Sequence, residues 1–283
     1  MLLVADGGSS KTDWVLQKTD KSTQKITSGG FNPIFNSEKD IARFLNQIKD
    51  FDEIESKITE IYFFGAGCTT PDKREIVSNA LSQKFVNAFI SVDSDSLGSA
   101  IATCKDKPGI SCILGTESNV SFYDGNQNFP SKLGLGYILG EEGSGTYFGK
   151  ILITDFLYQK MPNEIADSFY DAFKINKEVV IKNLYQKSYP NYYLASFAPF
   201  MSAHASHPYV KDLVFKGLQA FINTHVLIYP DFRSYYCHFV GSIAYHFKDT
   251  LKEICAQNGV NCGLILEKHI DELFDWIKKR EGF

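Results

Sequence analysis

The sequence predicts an α/β protein of two similar halves with a cleft between them. Three observations carry that prediction. A strand meander is followed by strand–helix–strand–helix order, which suggests a sheet with crossovers. A strand, a glycine-rich turn bearing Ser or Thr, and a second strand occur over residues 2–16 and again over 111–123. The length of 283 residues suits about two domains at roughly 150 residues each.

The elements follow in order. Leu2, Leu3, Val4 and Ala5 form a short apolar run ended by Asp6, Gly7 and Gly8, which reads as a buried strand and a tight turn. Residues 12–18, centred on Trp14, Val15 and Leu16, and 23–28 complete the meander. Ile41, Phe44, Leu45 and Ile48 recur at helical spacing, with Ser37 as the expected N-cap. Residues 61–64 form a strand, 72–85 a helix behind Pro71, and 89–92 a strand ending at Asp93, Ser94 and Asp95. In the second half, 111–114 and 120–123 are strands. Asp124 and Gly125 signal a hairpin. A glycine-dense loop leads into a helix over 142–158, and 162–230 is mostly helical. A strand at 238–240, a helix at 243–255, a short strand at 263–266 and an amphipathic helix at 267–279 close the chain.

Composition narrows the function classes. A chain that is 44% hydrophobic and 22% charged is neither disordered nor fibrous. Its net charge of −4 gives no bulk attraction to nucleic acid or an anionic membrane. No apolar run approaches the length of about 18 residues that a spanning helix needs, and the first residues do not read as a signal peptide. The six cysteines form no C-x-x-C pair and no zinc-type cluster, so reduced thiols and a cytoplasmic location are expected.

Five short motifs carry chemistry. Asp6, Gly7, Gly8, Ser9, Ser10, Lys11 and Thr12 combine backbone donors, hydroxyls and a cation suited to a phosphate, with Asp6 placed to hold Mg²⁺ through waters. It is not a Walker A loop, because a strand follows the turn. Gly115, Thr116, Glu117, Ser118 and Asn119 repeat the theme at a second strand end. Gly140, Glu141, Glu142, Gly143 and Ser144 precede a long helix; there a carboxylate either meets the helix dipole or accepts bonds from sugar hydroxyls. Gly241 and Ser242 join a strand to a helix N-terminus, a ready place for a nucleotide. Asp93 and Asp95 stand at a strand's C-terminal end, where α/β sheets place ligands. Asp95 there is either the helix N-cap or a proton acceptor.

In this order the motifs resemble those of the actin-like ATPase superfamily, which includes sugar kinases, heat-shock chaperones and actin. The match is nearest the N-acetylglucosamine kinase branch, grouped with BadF/BadG-type ATPases. The resemblance implies two actin-like ATPase, ribonuclease H-like domains. One covers residues 1–104, joined by the terminal helix 267–283; the other covers 105–266. It implies that Gly8, Ser9, Ser10, Lys11 and Thr12 bind phosphate, with Asp6 near the metal. Gly115, Thr116, Ser118 and Asn119 match the second phosphate motif, and Asn119 is also expected at the sugar. Asn32 and Glu141 resemble sugar-binding positions, Gly241 and Ser242 the adenosine motif, and Asp95 the catalytic base, with Asp93 as its competitor.

Two departures stand out. Glu117 occupies a position that is glycine in the second phosphate motif; either its charge repels phosphate and its Cβ strains the turn, or the side chain points away or reaches the metal. Glu141 replaces an aspartate and moves the carboxylate by about 1.5 Å. The expected activity is ATP- and Mg²⁺-dependent phosphorylation of an amino sugar, N-acetylglucosamine at O6 foremost. The alternatives are a BadF/BadG-type ATPase and a non-catalytic amino-sugar sensor impaired at Glu117. The partners expected are an amino sugar and ATP, with no nucleic acid or membrane. A homodimer is open, because dimers are common in such kinases.

Overall fold

The computed structural model describes residues 1–8 and 11–283. Two compact units emerge. The first contains 1–107, 123–128 and 268–283; the second contains 108–122 and 129–267.

In the first unit, β1 (Leu2–Gly7), β2 (Lys11–Gln17) and β3 (Thr23–Gly29) form the meander. α1 (Glu38–Asn46), β4 (Glu60–Gly65), α2 (Pro71–Lys84), β5 (Phe89–Ser94) and α3 (Asp95–Cys104) follow. The sheet order is β3-β2-β1-β4-β5. β1 runs antiparallel to β2 and parallel to β4, and β4 runs parallel to β5. The unbroken apolar run of β1 has a simple cause: both faces of this sheet are covered. Leu3 and Ala5 pack with Trp14, Phe51 and Phe63 on one side. Leu2 and Val4 pack with Ala100, Leu273 and Phe274 on the other.

The second unit opens with β6 (Gly109–Leu114), β7 (Ser118–Tyr123) and β8 (Asn128–Pro130). A helical stretch follows: α4 (Gly136–Leu139), α5 (Gly145–Leu157), α6 (Asn163–Phe173), α7 (Lys177–Tyr185), α8 (Pro190–Ala195), α9 (Pro199–Ala203) and α10 (Pro208–Phe221). It passes through a π-turn at Ile222–Val226 to β9 (Tyr236–Val240), α11 (Ser242–His246), α12 (Lys248–Gln257) and β10 (Asn261–Leu266). The sheet order is β10-β9-β6-β7-β8. Read from its other edge, this is the order of the first sheet, so the repeated hairpin marks a repeated topology. The last helix, α13 (Ile270–Glu281), belongs to the first unit.

Two helix starts and the continuity of one helix differ from the sequence expectation. α5 begins at Gly145 with Ser144 as its N-cap, so Glu141 and Glu142 precede the helix and do not sit in its first turn. The helix expected over 243–255 breaks at Phe247 into α11 and α12. α13 begins at Ile270, which leaves Lys268 and His269 outside it. No helix among the described residues is long and apolar enough to cross a membrane.

Candidate functional site

The first cluster lies at the β1–β2 turn. Gly8 N–H donates to the Lys11 carbonyl over 2.8 Å and closes the hairpin. Ser9 and Ser10, both expected at phosphate, lie outside the described residues. Lys11 Nζ is 3.1 Å from Asp13 Oδ1, and Lys268 Nζ is 3.0 Å from Asp13 Oδ2. Burial pushes the Asp13 carboxyl up, but bonds from Lys268, Thr27 and Lys11 outweigh it and hold the pKa below the ordinary range. Thr12 is fully buried, and its hydroxyl has no hydrogen-bond partner. Asp6 pairs in register with Asp13, and its side chain is 22% exposed. His269 approaches it, with Nδ1 at 3.5 Å from Asp6 Oδ2. The imidazole is buried, and neither ring nitrogen makes a hydrogen bond. A buried polar group left this way costs roughly 1–3 kcal/mol. A carboxylate at a strand end beside unsatisfied polar atoms fits a hydrated Mg²⁺, which takes oxygen ligands and keeps much of its water.

At the end of β5 the two acids separate. Arg74 Nη1 donates to Asp93 Oδ1 over 2.9 Å, so Asp93 is held by a guanidinium. Asp95 opens α3, and its Oδ1 accepts from the Ser96 N–H at 2.8 Å. The N-cap of α3 is Ser94, whose hydroxyl accepts from the Leu97 N–H, so the capping role expected of Asp95 falls to its neighbour. Asp95 also lies near Cys68. Burial pushes that thiol up to about 12, and the Asp95 charge adds to the rise.

Asn32 is buried, and its Oδ1 accepts from the Ile34 N–H at 2.9 Å. It leans on Gly67, where φ is +78° and a Cβ would stand 2.1 Å from Asn32 Oδ1. Only glycine combines that backbone with that space.

In the second unit, Gly115 N–H donates to the Glu117 carbonyl at 3.0 Å and forms the β6–β7 turn. The turn is bound to the start of α5: Gly145 N–H donates to Gly115 O at 2.8 Å, and Thr146 N–H to Thr116 O at 3.0 Å. Glu117 is not among the residues with positive φ, so its Cβ does not strain the turn as the sequence suggested. Its Oε1 accepts from Asn191 Nδ2 at 2.8 Å. The Ser118 hydroxyl is buried without a partner, while Asn119 is exposed and its Oδ1 accepts from the Val120 N–H at 2.8 Å.

Glu141 has φ +63°, a region that residues with long side chains seldom enter. Burial and the Glu117 charge push its carboxyl up to about 7, although the Thr146 hydroxyl donates to Oε2 at 2.8 Å. Glu142 turns the other way, with Oε2 at 2.9 Å from His225 Nε2 on the π-turn.

Gly241 has φ +121°, and a Cβ there would lie 2.3 Å from Leu114 O. This close approach brings β9's end against β6's end. One cavity of about 290 Å³ results, lined by Gly115, Thr116, Gly145, Ala198, Ser242 and His246 among others. The structure therefore places the turn expected to bind phosphate and the turn expected to bind adenosine on one cavity. Sequence reasoning missed Ala198, Ser202 and His246 there, and Asn191, His225, Lys268 and His269 elsewhere. Only the strand-end position of the neighbouring motifs pointed toward them.

Two α/β units of one sheet topology, with glycine turns at matching strand ends, define the actin-like ATPase fold. No protein-family model matches the chain, and no curated protein matches it significantly. Solved structures do. A candidate N-acetylglucosamine kinase from Porphyromonas gingivalis is 34% identical over 99% of this chain and 100% of its own, with a TM-score of 0.93. A second, from Chromobacterium violaceum, is 16% identical over 98% of each chain, with a TM-score of 0.72. A ROK family glucokinase from Streptomyces griseus, solved with glucose and AMPPNP, is 14% identical over 97% of this chain and 98% of its own, with a TM-score of 0.58. The chain belongs to the N-acetylglucosamine kinase-like family of the actin-like ATPase superfamily.

Proposed function

We propose that this protein is an ATP-dependent amino-sugar kinase, with N-acetylglucosamine as the substrate and O6 as the acceptor. One observation carries the reading: Gly115, Thr116 and Ser242 line a single cavity. Its walls are small and apolar at Ala195, Ala198, Pro199 and Ile243, the surroundings a purine ring favours. The phosphates extend over the β6–β7 turn, where the expected phosphate residue Ser118 keeps its unpartnered hydroxyl buried. The resemblance also assigns phosphate binding to Gly8, Ser9, Ser10, Lys11 and Thr12. Asp6 is the residue that would hold Mg²⁺, which would supply charge neutralisation at the transferring phosphoryl group.

Asp95 takes the proton from the sugar hydroxyl. Asp93, its competitor, is held in an ion pair with Arg74. Asn32, Asn119 and Glu141 orient the sugar. Phosphoryl transfer asks mainly for position and charge neutralisation, and these side chains offer both. The free state of all six cysteines fits a reducing compartment, in line with a cytoplasmic enzyme.

A coupled ATP-consumption assay across glucose, glucosamine, N-acetylglucosamine, N-acetylmannosamine and N-acetylmuramic acid tests the proposal. Turnover greatest with N-acetylglucosamine supports it. Sugar binding by calorimetry with neither ATP binding nor turnover would replace the kinase by a sensor.

A further inference from the structure

The short segment between β10 and α13 brings His269 to the β1–β2 turn. Its Nδ1 is 3.5 Å from Asp6 Oδ2, beyond a good hydrogen bond, and both ring nitrogens are without partners in a buried position. The ring cannot turn to water for relief. Ile270, Leu273, Phe274 and Ile277 lock α13 into the core with Leu2, Val4 and Val15. Ion pairs add to the anchor, Lys25–Asp271 at 2.7 Å and Lys105–Glu272 at 2.7 Å. The adjoining Lys268 is itself drawn to this turn through Asp13. An imidazole held rigidly beside a mostly buried carboxylate, with its hydrogen-bonding capacity unused, is suited to a state in which that carboxylate shifts by a few tenths of an ångström.

We infer that His269 is a positioning residue for Asp6. Its Nδ1–H donates to one carboxylate oxygen when magnesium nucleotide is bound, which leaves the other oxygen for the ion's water shell. Partners of this kind fix the orientation of a metal-holding group. The inference rests on the nucleotide reading proposed above.

The test compares His269→Leu, His269→Asn and His269→Gln with the parent chain. Thermal melting is followed without ligand, with ATP plus EDTA, and with ATP plus Mg²⁺; Mg²⁺ titrations of turnover accompany it. Without ligand, His269→Leu should melt at or above the parent, because it removes unsatisfied buried nitrogens. Its additional stabilisation by Mg²⁺ over ATP alone should shrink. The Mg²⁺ concentration for half-maximal turnover should rise on the order of 10–100-fold. His269→Asn, whose amide nitrogen replaces Nδ1, should recover most of the Mg²⁺ response, and His269→Gln should not.

Equal Mg²⁺ responses in the parent, Asn and Gln chains overturn the inference, whether or not the Leu variant folds. A Leu variant that melts far lower with an unchanged Mg²⁺ response shows a packing role and overturns it as well. If the parent neither turns over ATP nor gains stability from it, the nucleotide reading fails and takes this inference with it.

Discussion

Asn191 Nδ2 donates to Glu117 Oε1 at 2.8 Å, and this bond gives the carboxylate a partner in the turn proposed to bind phosphate. Asn191 is buried on α8, next to Pro190, which fixes the helix start. The side chain of Glu117 is thereby held by the helical part of its own unit. Asn191→Leu should release that charge and raise the KM for ATP roughly tenfold, the scale of one hydrogen bond to a charged group. Glu117→Gly made in the same chain should remove most of the increase. A double-mutant cycle on ATP KM measures this, and additive effects would mean that the bond does not shield the phosphates.

The two acids at the end of β5 give a second expectation. Asp95→Asn should lower kcat by about 10²–10⁴, the range for removal of a general base, and leave sugar binding measurable by calorimetry. Asp93→Asn should act more weakly on kcat. Its partner Arg74 already has one buried nitrogen, Nε, without a hydrogen-bond partner, and should lower stability when the bond is lost. Equal losses of kcat in both variants would reverse the assignment.

Glu141 makes a pH-dependent contribution to stability. Its ordinary value is 4.5, and in the folded chain it is pushed up to about 7 by burial first and by Glu117 second. Between these values the folded chain holds a proton that the unfolded chain has released. Its contribution is therefore fully present below about pH 4.5 and is lost as pH rises toward 7. Glu141→Gln should flatten that decline and leave the variant relatively more stable at pH 8 than at pH 5. Urea denaturation of both chains at pH 5, 6, 7 and 8 reads the difference directly.

The sequence made the strands and turns legible where local chemistry decides them. Leu2 to Ala5 is apolar at every position because each face of the sheet is covered, and Gly241 is glycine because Leu114 O leaves no room for a Cβ. Helix starts were legible only in part. A periodic pattern continues through Glu267 and Lys268, and nothing in it shows that α13 begins only at Ile270, with His269 as its N-cap. Ser94 and Asp95 are both good caps, so their order could not be read without the backbone. Partners such as Asn191 for Glu117, or His225 for Glu142, depend on helices far along the chain. No spacing rule links such pairs, which is why the environment of the loop over 140–144 stayed hidden while its glycines did not.

If the nucleotide binds in the cavity beside Ser242 as proposed, it can be excluded without touching the proposed sugar residues. Ser202 lines it and is exposed, so a larger side chain there can enter the cavity with little disturbance of the core. A phenyl ring would occupy a good part of about 290 Å³ and compete with the adenine for the surface of Ala198 and Ile243. Ser202→Phe should therefore raise the KM for ATP tenfold or more, equivalent to about 1.4 kcal/mol of lost binding. Its melting temperature without ligand should stay within a few degrees of the parent, because surface substitutions change stability by about 0.5 kcal/mol or less. Calorimetry should find N-acetylglucosamine binding unchanged. An unchanged KM for ATP would mean that the nucleotide base binds elsewhere. It would also separate the two turns that the cavity now joins, leaving Gly115 and Thr116 to bind phosphate without the Gly241–Ser242 turn.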